Sequence, residues 1–246
     1  MAALTAAGPV LFHFFDFAQL NSVRTIPYLR EWHRRYADAG LTVLGIHSPR
    51  FPFTKTNEAL AAGVERLGLS YPVAQDSSYA IWHDYGVKGW PSLFLWNASG
   101  ALAWFHFGEG EYRATEEAIQ KELRSGEALI ELPEPMEPVR PTDAPGAMVV
   151  PPTDETFPGG GAGEPWRPGD GPIRVEYGAA GAYAAVSGTG ELFVCVDDGE
   201  AVVHSIGGPA LQPVTEHPHH EEHALAIEGE GGIEVYSIAF AAGLPG

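Results

Sequence analysis

The sequence predicts an α/β domain, a mixed sheet flanked by helices, followed by a small all-β sandwich. Three observations predict it. Residues 9–127 alternate strand-like and helix-like segments in the order β-α-β-α-β-α-β-β-α, which mixes parallel crossovers with a final hairpin. Residues 133–172 lose all periodicity: eleven of these forty are proline, and Gly159-Gly160-Gly161 sits among them. Residues 173–246 return to short apolar strands separated by glycine-rich turns, with no helical pattern. The expected domains are therefore 1–130, a Pro/Gly-rich acidic linker over 131–172, and a β-sandwich over 173–246.

Charge divides the chain in the same place. Residues 1–127 carry 13 acids against 11 Lys/Arg, whereas residues 128–246 carry 19 against 3. Neither half has a basic stripe, which argues against nucleic acid. The acidic half reads as a solubilising surface. The apolar runs are strand-length, short of the roughly 20 residues of a membrane helix. The N-terminus has no basic n-region with an apolar core, so a cytoplasmic location is expected. A single cysteine, Cys195, excludes an internal disulfide.

The elements follow in order. Val10 to Phe17 is an apolar strand. Asn21 to Ala39 is helical with Pro27 inside it, a position that kinks helices. Leu41 to His47 is a continuous apolar run, as in a buried parallel strand. Thr56 to Leu67 is helical, with Gly68 as its C-cap. Val73 to Gln75 is short and extended, and Ser77 to Tyr85 is a short helix. Ser92 to Trp96 and Ala101 to Phe107 form a hairpin around Asn97-Ala98-Ser99-Gly100. Thr115 to Arg124 closes the domain. Six strands are expected beyond the linker: 173–177, 182–186, 191–196, 201–205, 223–227 and 233–240.

Three segments carry a family resemblance. The first runs from Phe14 to Leu29, an aromatic strand end passing into Arg24-Thr25-Ile26-Pro27-Tyr28-Leu29. The second is Gly45-Ile46-His47-Ser48-Pro49-Arg50-Phe51-Pro52-Phe53. The third is Tyr85-Gly86-Val87-Lys88-Gly89-Trp90-Pro91-Ser92-Leu93-Phe94, with Phe107-Gly108-Glu109-Gly110-Glu111-Tyr112 after it. In this order and spacing they resemble the thioredoxin-like fold, and more closely the thiol–disulfide reductases of the TlpA/DipZ type. The tail, through 223–227 and 234–240, resembles the carbohydrate-binding-module-like sandwich appended to some DipZ-type proteins.

The resemblance implies a Cys-x-x-Cys slot at the strand-to-helix junction, where a helix N-terminus favours a thiolate. This chain holds Gln19 and Ser22 there, so dithiol exchange is not available at the slot. The resemblance also implies a cis Trp90-Pro91 peptide facing the slot, exposing backbone to an extended peptide. The groove so implied is lined by Phe17, Gln19, Leu20, Asn21, Ser22, His47, Trp90 and Pro91. The expected role is non-catalytic binding of a protein or peptide, with no cofactor. Asp16, Arg50, Val87 and Gly89 also depart from the family pattern around this surface.

The remaining candidates are weighed on their own chemistry. Ser22 is a good helix cap; as a nucleophile it would need His47 as base and Asp16 to orient it. Cys195 reads as a small packed residue, the alternative being an oxidoreductase that uses it or a partner's thiol. Gly108-Glu109-Gly110 lacks the lysine of a phosphate loop, and Glu109 and Glu111 read as a solvated loop. His217-Pro218-His219-His220-Glu221-Glu222-His223 has the composition of a metal site. Pro218 and the spacing favour a solvated hairpin loop; a metal reading would use His217, His219 or His220, and His223. Tyr177, Tyr183 and Tyr236 would form a glycan or ligand platform only if exposed in a row.

Overall fold

The computed structural model describes residues 2–5, 7–125 and 131–246. They divide into two compact units, Met1–Pro49 with Leu60–Pro145, and Arg50–Ala59 with Gly146–Gly246.

Unit 1 is built on strand β1 (Val10–Phe15), in which every residue is buried. Short α1 (Ala2–Thr5) precedes it and α2 (Leu20–Tyr36) follows. Then come β2 (Thr42–His47), α3 (Asn57–Arg66, in this unit from Leu60 on), β3 (Val73–Gln75), α4 (Ala80–Asp84), the hairpin β4 (Ser92–Trp96) and β5 (Leu102–Phe107), and α5 (Tyr112–Arg124). The sheet order is β3-β2-β1-β4-β5. β2 runs parallel to β1 and to β3, and β4 antiparallel to β1 and to β5. A central strand covered on both faces reads as a continuous apolar run rather than an alternation, which is how β1 looks in the sequence. Parallel and antiparallel strands in this order, closed by a C-terminal helix, make unit 1 a thioredoxin-like fold.

Helix α2 buries Tyr28, Leu29, Trp32 and Tyr36 along one side, at the i, i+4 and i, i+3 spacing of a core-facing stripe. Helix α5 starts at Tyr112, earlier than the expected Thr115. Gly110 (φ 111°) and Glu111 (φ 49°) turn the chain, and the Tyr112 ring stacks on Tyr28 at 3.7 Å. Glu116, buried on α5, accepts from the Tyr36 hydroxyl at 2.6 Å and from the Met136 amide at 3.0 Å.

The expected linker departs from a free spacer in its hydrogen bonding. Its first part, through residue 145, belongs to unit 1. There the Gln120 amide donates to Pro133 O, Arg35 donates to Glu134 O, the Val139 amide donates to the Tyr28 hydroxyl, and that hydroxyl donates to Asp143. The rest belongs to unit 2.

Unit 2 holds β6 (Ile173–Ser187), β7 (Gly190–Val196), β8 (Val202–Ile206), β9 (Ala210–Gly231) and β10 (Glu234–Ala241). They form one antiparallel sheet in the order β10-β6-β9-β7-β8. The sandwich is thus built from a single curled sheet. Its long strands bend at register shifts between Ala179 and Gly181 and between Ala182 and Tyr183, as bulges do. Two expected strands, 173–177 and 182–186, are one strand, and 223–227 is the far end of β9. Tyr177, Val186, Leu192, Ile227, Val235 and Ile238 are among its core residues. Edge strand β10 is covered by the Pro-rich segment, with paired amides and carbonyls at Thr156/Ile238 and Trp166/Val235. Phe51 and Phe53 of the loop after β2 also belong to this unit and meet the Tyr236 ring at 6.1 and 4.7 Å. Among the described residues, no helix is long and apolar enough to cross a membrane.

His13, in the middle of β1, is fully buried and stacks on Phe15 at 4.9 Å. Burial pushes its pKa from 6.5 down to about 3. The unfolded chain takes up that proton near pH 6.5 and the folded chain only near pH 3. Stability therefore falls as pH drops through this window, by at most about 5 kcal/mol from this residue. Burial also lowers the His47 pKa, with the same sign. His13→Phe is expected to flatten the loss of unit 1 stability between pH 6.5 and 4, followed by urea titration and tryptophan fluorescence. An unchanged pH slope would refute this assignment.

Candidate functional site

The strand register brings the sequence-selected residues to one end of the unit 1 sheet. Phe15 lies opposite His47, and Phe14 opposite Ser92. The Asp16-to-Ser22 turn, His47-Ser48 and Trp90-Pro91 therefore share the edge where parallel β1 and β2 end, the usual ligand-binding end of such sheets.

The turn is closed by its own side chains. Asp16 is buried, and its Oδ1 accepts from the Ala18 amide at 2.7 Å. Gln19 occupies the N-cap of α2 in extended geometry (φ −96°, ψ 125°), and its Oε1 accepts from the Ser22 amide at 2.7 Å. Ser22 Oγ accepts from the Asp16 amide at 3.3 Å. The cap is thus Gln19, not Ser22 as expected; Ser22 lies within the first turn of α2. A glutamine reaches the same amide that a shorter cap would satisfy, from one methylene further out.

Among the described residues no hydrogen bond joins His47 to Ser22. The His47 ring stacks on Phe17 at 5.2 Å, meets Phe15 edge-on at 5.3 Å, and stands 4.0 Å from Asp16 Oδ2. Burial lowers its pKa and the Asp16 carboxylate opposes that shift, so the ring is a neutral member of an aromatic stack at pH 7. Phe17 is packed on its other side against Gly63, where an added Cβ would lie 2.8 Å from the Phe17 ring. Of the groove residues expected from sequence, Phe17, Gln19, Leu20, Ser22, His47 and Pro91 are buried, while Asn21 and Trp90 reach the surface in part.

The Trp90-Pro91 peptide is cis. The Trp90 Nε1 donates to Ser48 O at 2.8 Å, and its ring packs on Trp82 at 4.5 Å. Val87 is a core residue beside Phe12, Phe14 and Phe94, whereas nothing lies within 4 Å of a Cβ built on Gly89. Asp76 is a structural residue that sequence reasoning missed. Its carboxylate accepts from the Ile81 and Trp82 amides at 3.1 and 2.9 Å and from Ser48 Oγ at 3.2 Å. An acid at a strand end before a short helix is the signal that could have found it. Glu109 is not solvated as expected: it pairs with Arg24 at 2.6 Å and Arg140 at 3.3 Å, while Glu111 is exposed. Arg50 belongs to unit 2 and pairs there with Glu155 at 2.5 Å.

In unit 2 the histidine run is part of strand β9, not a hairpin loop. Tyr177 and Tyr236 are buried and Tyr183 is half-buried, so the three tyrosines do not form an exposed row. Cys195 lies inside β7, half-buried, with its Sγ 3.0 Å from Gly199 O.

Fold and site together define unit 1 as a thioredoxin-like domain whose slot holds a capped helix start and no thiol. No family model matches the chain. It is similar to Protein DipZ of Mycobacterium tuberculosis, 29% identical over 267 residues, covering 94% of this chain and 38% of that protein. The chain thus spans about two-fifths of that relative's length. It is also similar to the human NHL repeat-containing protein 2, 28% identical over 102 residues, covering 41% of this chain and 14% of that protein. A thiol-disulfide isomerase from Corynebacterium glutamicum matches with TM-score 0.45 and 22% identity, over 50% of this chain and 85% of that one.

Removing the cap tests its role. Gln19→Ala is expected to destabilise unit 1 by about 1 kcal/mol and to speed amide exchange at Ser22. An unchanged exchange rate at Ser22 would show that the cap contributes nothing.

Proposed function

We propose that unit 1 binds an extended protein or peptide segment at the β1/β2 end of its sheet, without dithiol chemistry. The observation that carries this reading is the state of the slot. Both positions that would hold thiols hold side chains already committed to the turn, Gln19 to the Ser22 amide and Ser22 to the Asp16 amide. Neither can form a mixed disulfide, and the first amides of α2 are partly used internally rather than offered to a reacting atom.

Around the slot the features that suit binding remain. Trp90 is half-exposed yet held by Ser48 and Trp82, a fixed aromatic surface with little ordering entropy left to lose. The backbone at Gly89 is open on its Cβ side, which suits close approach of another chain by strand-like pairing. The similarity to DipZ spans both units, so the binding module and its β-rich companion are proposed to work in one chain.

Two measurements test the proposal. In insulin reduction with dithiothreitol, the protein is expected to give no rate above the protein-free control. A rate above that control, lost in Cys195→Ser, would favour an oxidoreductase instead. For binding, an arrayed library of extended peptides is expected to yield a set captured by the wild type and lost by Trp90→Ala with Pro91→Ala. Identical sets from the two proteins would remove this surface as the binding site.

A further inference from the structure

We propose that unit 2 carries a divalent transition-metal site of the zinc type, built from His217, Glu221 and His223 on strand β9, with Asp197 orienting His223. The site is made by a bulge. On β6, Ala179 pairs with Glu221 and Gly181 with Glu216. Ala180 alone therefore opposes the whole stretch from His217 to His220. In a regular strand, residues 217 and 223 would stand about 20 Å apart. Here the bulge folds the strand back so that their imidazole rings stack at 4.1 Å and 23°.

The stacked pair is joined by a carboxylate. His217, Glu221 and His223 each offer one ligand atom, and these atoms lie within 4.8 Å of one another. Glu221 Oε2 is 3.3 Å from His223 Nε2. All three residues are half-buried, open enough to admit an ion and sheltered enough to hold it.

The surroundings are those of a ligand set held in place. Asp197 Oδ2 stands 2.6 Å from His223 Nδ1, while its Oδ1 accepts from the Ala224 amide at 2.8 Å. A carboxylate on Nδ1 fixes the tautomer that leaves Nε2 free to ligate, the usual outer partner of a zinc-bound histidine. The Tyr177 hydroxyl, on a buried side chain, meets His217 Nε2 at 2.7 Å and Thr215 Oγ1 at 3.0 Å. This contact holds the His217 ring through one nitrogen; a metal would take the other nitrogen or displace the hydroxyl.

The donor set decides the class of ion. Two imidazoles and one carboxylate suit zinc and its borderline neighbours, whereas calcium and magnesium select oxygen ligands. Three protein ligands leave a fourth position for water or a small anion. The neighbouring histidines stand outside the set. His219 is exposed, and His220 is tied through its amide to Leu244 O at 2.8 Å.

The test uses the full chain, stripped with a chelator, and Zn²⁺ or Co²⁺ alone as probe. Calorimetry with Zn²⁺ is expected to give one ion per chain, and Co²⁺ to give the visible absorption of a low-coordinate nitrogen and oxygen site. Asp197→Asn is expected to weaken Zn²⁺ binding by about 10–100-fold, and Glu221→Gln or His217→Ala with His223→Ala by more. His219→Ala with His220→Ala is expected to leave affinity unchanged. Glu221→Gln keeps the side chain's size and guards against loss of fold, which far-UV circular dichroism of every variant checks. Wild-type affinity no better than that of the His217/His223 variant would overturn the proposal. So would an equal loss in the His219/His220 variant.

Discussion

The structure of unit 1 depends on a strand that has no exposed face. All six residues of β1 are buried, between β2 on one side and β4 on the other. Such a strand cannot turn outward to satisfy its last amides with water, because its end is covered as well: Asp16, Phe17 and Ala18 are all buried. The buried polar groups at that end need partners from the chain itself. Asp16, Gln19 and Ser22 are those partners, each meeting an amide of the same turn.

That closure bears on chemistry. A helix N-terminus activates a nucleophile by leaving amides and a positive dipole end directed at an exposed atom. In this chain the amide of Ser22 is already satisfied by Gln19, and Ser22 itself is buried. The location that would activate a thiol is filled by hydrogen bonds that stabilise the turn. What remains outside is shape, namely Trp90 fixed against Ser48 and an open backbone at Gly89.

Legibility in the sequence follows how local each signal is. β1, β2, β3 and the β4-β5 hairpin were readable because a buried run or a turn declares itself within a few residues. The Gln19 cap was hidden because glutamine is not a preferred capping residue; only the tertiary closure of the turn selects it. The resemblance located the slot, but its burial could not be read from which residues fill it, since burial depends on Gly63 and Phe17 packing from elsewhere in the chain. Strand β9 was half lost because Pro213, Pro218 and the charges of 216–222 break the alternation by which strands are recognised. The pairing that makes this stretch a strand comes from β6, and it is the interruption in that pairing which joins His217 to His223.

The Pro-rich segment shows the same logic from the other side. Its composition reads as a solvated spacer because prolines cannot donate to a ladder and acids repel one another. Both arguments assume that the segment meets only water. Over 131–145 its carbonyls and acids meet donors instead, from Gln120, Arg35, Tyr28 and Arg140. Over 156–166 it pairs with edge strand β10 through isolated bridges at Thr156 and Trp166, where non-proline residues supply the amides. A sheet edge is best covered by a chain that cannot itself extend the sheet. Proline is therefore suited to this position for the very property that makes the segment look structureless in isolation.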